Sequence, residues 1–514
     1  MAEVKPAPPP PLHGAPLALL TIAVAVATFM EVLDITIVNV SVPHIAGSLG
    51  VSPQEGTWAI SSYSLASAIM QPLSGWIGRR FGEVRAFCVS ALLFVAMSTL
   101  CGIAESMPML VVARLLQGAG SGPMVALSLS LLLNNYPNEK KGLALALWAM
   151  TVVVAPIFGP ILGGYITDNY SWPWIFYINV PVGILAVVIT WTLLRTRESA
   201  TTKAPIDMIG LVLLVVGVGC LQFMLDNGND KDWFSSSLIT TLGIIAVVCI
   251  TFFVAWELTE KHPIVDLSLF RSRNFCIGVI AMSLGMTAFF GINVVYPLWL
   301  QTVVGYTASW AGYATAPVGI LAFLMSPIIG RNIQRLELRA VVTFSFLVFA
   351  VTSYWFSTFP ADTSFGQFVL PRFLMGLAIP CFFIPLNQVI LSGLKPHEIA
   401  SASGLSNFFR TIAASISTAV TVTMWQHRGD FHHATLAEHI NATSSATQQF
   451  VQGLGAVAPG TASWSIIENI VNREALTLAV NDVFLLFAAL FVLMIPVVWL
   501  AKPPFGNVGS APGH

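Results

Sequence analysis

The sequence is poor in charge. Of its 514 residues 9% are Asp, Glu, Lys or Arg while 56% are hydrophobic, whereas a soluble globular protein carries roughly 25% charged residues. That shortage excludes a soluble enzyme and a disordered chain. Cysteine is also scarce. Cys88, Cys101, Cys220, Cys249, Cys276 and Cys381 all lie inside apolar stretches without metal-ligand spacing, which predicts small core residues and no disulfide framework. The formal net charge is -1, and without a long basic run there is no footprint for nucleic acid. No Gly-x4-Gly-Lys-Ser/Thr loop occurs, so nucleotide drive would have to come from another subunit.

What the chain has in abundance is long apolar runs. At 56% of 514 residues, and about 20 residues per membrane-spanning helix, there is material for roughly fourteen spans. A proline-rich head ends near Pro16, and the apolar stretch after it runs to about Val42. It is too long and too lightly flanked by basic residues for a cleaved signal peptide. Further spans are expected near 57–77, 84–104, 109–133, 142–164 and 174–194, then a pair near 208–226 and 237–258, then six more near 274–299, 309–330, 340–358, 366–392, 404–425 and 480–501. The expected organisation is a cytoplasmic segment over 1–15, a six-helix bundle over 16–194, an inserted helix pair with linkers over 195–273, a second six-helix bundle over 274–501 and a tail over 502–514.

The positive-inside rule orients this arrangement with both termini in the cytoplasm. All but six of the 23 Lys and Arg then fall on the cytoplasmic side. Lys231, Arg428 and Arg473 lie outside, and Arg114, Arg372 and Arg410 lie within spans. Two internal matches organise the chain further. Pro72 and Gly75 with Arg79, Arg80 and Arg85 recur as Pro327 and Gly330 with Arg335 and Arg339, an offset of 255 from Pro72 to Pro327. Arg114-Leu-Leu-Gln-Gly118 recurs as Arg372-Phe-Leu-Met-Gly376, an offset of 258. Such parallel repeats mark two-bundle secondary transporters. The outer connection over 426–479, polar with several helix-compatible stretches, is expected to be an external subdomain or docking surface. Its histidines, His427, His432, His433 and His439, lack the acid or cysteine that would complete a metal site, and Asn441-Ala-Thr443 is a glycosylation pattern of no weight.

A charge near the middle of a bilayer costs at least about 2.5–3.5 kcal/mol, so intramembrane ionisable residues are functional candidates. Glu31 and Asp34 are the sharpest. At 1.5 Å per residue Asp34 lies about 27 Å along the first span, and Arg114 about 9 Å in from the outer end of the fourth. The two can pair, as a proton-coupling switch or as a static bridge that fixes packing. Glu31, without an assigned partner, is the candidate proton carrier that also meets substrate. Arg372 mirrors Arg114, yet Phe289 to Asn293 contain no acid, which places coupling in the first bundle. Arg372 remains a candidate for an anionic group of the substrate, and Arg410, about six residues inside its boundary, is expected to snorkel. Gln71, Asn293 and Tyr296 are candidate cavity residues. Pro156, Gly159, Pro160, Gly163 and Gly164 on the fifth span combine bending with close packing and suit a gate. Gly118, Gly120 and Gly122 extend that logic on the fourth.

These residues resemble a known family. Asp34-Ile-Thr-Ile-Val-Asn-Val-Ser-Val-Pro43 looks like the first-helix signature of fourteen-helix drug:proton antiporters of the major facilitator superfamily, with Ser41 where alanine is usual. Leu110 to Gly122, including Gln117 and Gly118, resembles the fourth-helix motif, and Ala155 to Gly164 the fifth-helix antiporter motif. Trp172-Pro-Trp-Ile-Phe-Tyr-Ile-Asn-Val-Pro181 and Trp499 to Phe505 narrow the likeness to the EmrB-type branch. Gly75-Trp-Ile-Gly-Arg79-Arg80-Phe-Gly82-Glu83-Val-Arg85 resembles the gating motif, but Arg79 stands where an aspartate is usual and Glu83 where a basic residue is usual. A latch with altered charge partners is the expectation. The resemblance implies an all-α polytopic protein of the bacterial inner membrane that exports hydrophobic or amphipathic compounds in exchange for protons. It implies no cofactor and no metal, and it implies a periplasmic adaptor of the membrane-fusion type and a TolC-like outer-membrane channel as partners. Two other readings stay open, an exporter of fatty acids or another endogenous metabolite on the same fold and a passive facilitator.

Overall fold

The computed structural model describes residues 10–202, 205–438, 440, 445–455 and 461–505, and all its regular structure is helical among them. The first bundle contains α1 (Gly14–Leu49), α2 (Pro53–Gly56), α3 (Trp58–Met70), α4 (Ser74–Phe81), α5 (Glu83–Gly102), α6 (Met107–Asn135), α7 (Lys141–Asn169), α8 (Trp174–Tyr177) and α9 (Asn179–Leu194). The inserted pair is α10 (Met208–Asn227) and α11 (Ser237–Thr259). The second bundle contains α12 (Arg273–Thr302), α13 (Ala308–Thr315), α14 (Pro317–Asn332), α15 (Leu338–Phe356), α16 (Phe365–Ile390), α17 (Ile399–Glu438), α18 (Ser445–Gly455) and α19 (Thr461–Trp499).

This is a multi-pass membrane protein. Among the described residues eleven helices are long and apolar enough to cross a bilayer, and α7, bent by 45° between Pro156 and Ile161, raises the number to twelve if it is counted as one span. The two other expected spans are helical but less plain. One is divided into α3 and α4, and the other, α17, carries Ser, Thr and Arg410 among its apolar residues. The bend in α7 has a local cause, since a proline removes a backbone donor and its ring crowds the preceding turn.

Packing follows the two-bundle plan. Within the first bundle α6 lies against α3 and α5, and α1 against α7 and α9. In the second, α16 lies against α14 and α15, and α17 against α12 and α19. The bundles meet through α7 with α14 and α16, and through α17 with α4 and α6. The inserted helix α10 bridges them, packed on both α3 and α17, with Gln222 donating to Ser415 Oγ at 2.9 Å. Its partner α11 turns mostly outward to lipid, with Val247, Phe252 and Leu258 exposed.

The outer connection bears helix, as its helix-compatible stretches allow. It is largely helix, because α17 continues to Glu438 and α19 begins at Thr461. At 40 and 39 residues these helices are roughly 60 Å long, twice the hydrocarbon thickness of about 30 Å, so both project beyond the membrane on the face opposite the basic clusters. Polar sequence hid this, since a helix in water needs no apolar run. Pairs across the projecting hairpin hold it together. Arg428 Nε donates to Asp482 Oδ2 at 2.7 Å, His432 Nε2 meets the same oxygen at 2.7 Å, and His433 Nε2 meets Glu468 Oε1 at 2.8 Å. No group of three metal-ligating side chains forms among the described residues. His439, Asn441 and Thr443 lie outside them. All six cysteines are free thiols.

Candidate functional site

Asp34 and Arg114 meet in the first bundle, both with no solvent exposure. Arg114 Nη1 donates to Asp34 Oδ2. The same nitrogen reaches Gln117 Oε1 at 2.8 Å, and Nε donates to the Ala59 carbonyl at 2.8 Å. The other carboxylate oxygen of Asp34 accepts from Gln117 Nε2 at 3.2 Å and from Asn179 Nδ2 at 2.9 Å. Asn179 also donates to Ser98 Oγ at 3.1 Å, and Ser98 in turn to the Phe176 carbonyl at 3.0 Å. Burying a charge pair is costly unless its remaining lone pairs and protons are satisfied. Here helices α1, α3, α5, α6 and α9 all supply atoms to that end, leaving Arg114 Nη2 buried without a hydrogen-bond partner. The Arg114 guanidinium also stacks 4.2 Å from the centre of the Tyr63 ring, a cation–π contact that gains strength where water is absent.

Glu31 lies nearly one turn from Asp34 and is only 2% exposed. Its Oε1 accepts from the Tyr63 hydroxyl at 3.5 Å. Tyr63 therefore touches both charged groups, through its ring and its hydroxyl. Across the bundle interface Arg410 of α17 acts electrostatically on Glu31. Gln71 stands at the same interface, its Oε1 accepting from Thr411 Oγ1 of α17 at 3.0 Å.

Arg372, Asn293 and Tyr296 come together in the second bundle, apart from Gln71. Arg372 has no solvent exposure and lies 4.0 Å from the centre of the Tyr296 ring. Its Nη1 reaches Asn293 Oδ1 at 3.5 Å, while Nε and Nη2 are buried with no acceptor in hydrogen-bonding geometry. Asn293 stands 259 residues after Asp34, close to the repeat offset, and so occupies the place of the acid. The helix packing repeats too. A Cβ on Gly118 would strike the Tyr63 carbonyl, and one on Gly376 the Val318 carbonyl, and Val318 is 255 residues after Tyr63.

The gating candidates divide by place. On α7, Gly159 lies against Thr36 and Gly163 against Ile37 of α1, whereas Gly164 faces open space. Pro156 is half-buried, and the side chain of Pro160 lies outside the described residues. At the basic face Gly75 permits contact with Ser401, where a Cβ would lie 2.7 Å from the serine Cα. Arg79 Nη1 donates to Ser401 Oγ at 2.8 Å. Arg80 follows at the end of α4, and Gly82 turns the chain with φ of 91°. Glu83 accepts from Ser130 Oγ at 2.9 Å and Asn134 Nδ2 at 3.2 Å. The two sign-exchanged residues thus have separate partners, and Glu198 supplies the carboxylate that accepts from the Val84 and Arg85 amides at 2.9 and 3.0 Å.

The family model described as Major Facilitator Superfamily matches residues 24–418. The chain is 50% identical over 500 residues to the multidrug export protein EmrB of Haemophilus influenzae, covering 97% of this chain and 98% of that one. It is an EmrB-type member of the major facilitator superfamily. The fatty acid resistance protein FarB of Neisseria gonorrhoeae is 49% identical over 507 residues, covering 98% of this chain and 99% of the relative. The solved structure of the proton:xylose symporter XylE, at 15% identity, shares the fold with a TM-score of 0.58 over 96% of this chain and 98% of that one. The EmrB-type chain is therefore a transporter and not an enzyme.

In this transporter sequence reasoning missed Asn179, Ser98 and Tyr63 as members of the site. Asn179 carried a signal, being an amide in the apolar Trp172–Pro181 motif. Ser98 and Tyr63 carried none, since single hydroxyls are common in membrane helices.

Proposed function

We propose that this transporter exports hydrophobic or amphipathic toxic compounds across the bacterial inner membrane in exchange for protons. The observation that carries the reading is the fully buried Asp34–Arg114 pair, whose carboxylate is hydrogen-bonded from α6 and α9 and which is adjoined by Glu31. A carboxylate beside a guanidinium stays ionised, and it takes up a proton when the cation withdraws or the pocket dries. Asp34 with Arg114 is the switch. Glu31, on which Arg410 of the other bundle acts electrostatically, is the proton carrier that meets substrate. The proton gradient supplies the drive, so no cofactor is required. The names of the relatives, multidrug export and fatty acid resistance, support the class of cargo. The basic clusters support cytoplasmic termini. The projecting α17–α19 hairpin offers a surface for a periplasmic adaptor of the membrane-fusion type leading to a TolC-like channel.

Efflux of a fluorescent cationic dye in proteoliposomes with an imposed proton gradient tests this. Wild type follows the gradient, Asp34→Asn loses coupled transport, and Glu31→Gln falls by about a hundredfold, the lower range for loss of a proton-transfer group. Gradient-independent transport by the wild type removes the antiport reading.

A second reading has its own support. Arg372 holds two unpaired nitrogens, donors suited to a carboxylate, and this favours fatty acids as cargo. Competition of fatty acids for dye efflux, abolished by Arg372→Ala, would establish it. Competition that survives the substitution would remove Arg372 from the substrate path.

A further inference from the structure

The basic face holds a cavity of about 230 Å³ that the transport mechanism does not use. Arg79, Arg80 and Trp76 of α4 form one wall, Thr202 of the linker after α9 a second, and Lys261 and Asp266 of the connection between α11 and α12 a third. Three full cations thus face one acid, with His262 beside them. That acid, whose Oδ1 accepts from the Ser268 amide at 3.1 Å and from its hydroxyl, offsets one of the three positive charges and acts on Arg79. Trp76 Nε1 is buried and without a hydrogen-bond partner. The walls are fixed in place, the Thr202 amide donating to the Arg79 carbonyl at 2.8 Å and Arg79 Nη1 to Ser401 Oγ at 2.8 Å.

We propose that this cavity binds the phosphate group of an anionic phospholipid of the cytoplasmic leaflet. Arginine forks and an indole N–H are suited to phosphate oxygens, and basic pockets between spans on this side of a membrane take lipid headgroups. The neighbouring surface argues for lipid as the source. Helix α11 ends at Thr259, just before Lys261, and its Val254 and Leu258 are 41% and 66% exposed. Acyl chains lie against that apolar flank while the headgroup enters the cavity. The lipid bridges α4 of the first bundle and the segment leading into the second, with Arg79 already bonded to α17. It therefore holds the basic face closed, and the walls separate when the bundles part there.

The test uses the full-length protein in detergent, with native mass spectrometry to count bound lipid and thermal unfolding as a second readout. Dioleoylphosphatidylglycerol is expected to bind at least about tenfold more tightly than dioleoylphosphatidylcholine, since each nearby cation contributes roughly fivefold. Lys261→Gln, in an exposed connection, lowers phosphatidylglycerol affinity by about fivefold, and Arg335→Gln, an exposed cation of the other bundle, leaves it unchanged. Equal binding of the two lipids overturns the proposal, as does equal loss in both variants or no loss in Lys261→Gln. Sodium phosphate is the third arm. If it raises the unfolding midpoint of wild type but not of Lys261→Gln while phosphatidylglycerol shows no preference, the ligand is a soluble phosphate and the lipid assignment falls.

Discussion

Two arginines at matching places in the two bundles have been given different surroundings. Arg114 meets an aspartate, one amide and a backbone carbonyl, with Tyr63 of α3 over its face. Arg372 meets an asparagine at 3.5 Å, with Tyr296 of α12 over its face and no acid in contact. Around Arg372 the second bundle is aromatic. Phe356 and Phe368 stand 5.2 and 5.9 Å from Tyr296, and Phe349 stacks on Phe491 at 4.8 Å. The comparison teaches that the arginine is common to both copies of the repeat, whereas the acid is present in one copy only. An uncompensated buried cation is tolerated for shape and cation–π contact, while a compensated one offers two states.

The largest test of that difference removes each cation. Arg114→Met leaves Asp34 buried without its counter-charge, and breaking a buried pair costs about 3–5 kcal/mol. Arg372→Met removes a cation that has no anion to strand, and a flexible apolar chain refills the space, so stability changes by about 1 kcal/mol or less. Thermal unfolding in detergent compares the two. Equal destabilisation would mean that the aspartate contributes little to the first site and that the contrast is only one of sequence.

Asn179 comes next in size. Asn179→Leu keeps the volume but removes the donor at 2.9 Å from Asp34 Oδ1, stranding part of a buried carboxylate at a cost of about 1–3 kcal/mol. The unfolding midpoint should fall, and coupled transport with it, while the variant remains folded. An unaltered midpoint would show that Gln117 alone satisfies that oxygen.

How much of this was readable in the sequence depends on what each feature costs. Asp34, Arg114 and Glu31 stood out because a charge in an apolar run must be explained by a partner, and opposed helix directions put the first two at one depth. The α7 bend was legible from Pro156 and Pro160, since proline acts on its own helix. Asn179 was not assigned because its role is set by a helix 145 residues away in the chain, and one amide in an apolar motif does not name its partner. The extension of α17 and α19 was hidden for a different reason. Apolar patterning reports burial in lipid, and these helices leave the lipid while remaining helical.

The smallest effect is expected from supplying what the second bundle lacks. In Asn293→Asp a carboxylate faces Arg372 Nη1 from the position where the amide oxygen now lies at 3.5 Å. Desolvation of the new charge offsets most of the attraction, so a gain of about 1 kcal/mol in unfolding stability is expected, against the loss of roughly 3–5 kcal/mol when the first bundle's pair is broken. Combined with Asp34→Asn, the substitution returns the number of buried acid–arginine pairs to its original value but does not return proton-driven transport. The reason lies one turn away. At the offset that relates Asp34 to Asn293, Glu31 corresponds to Phe290, so the new pair has no neighbouring carboxylate to exchange a proton with the bundle interface. Recovery of coupled dye efflux in the double variant would show that an acid–arginine pair in either bundle suffices, and that the pair needs no carboxylate one turn away on its own helix.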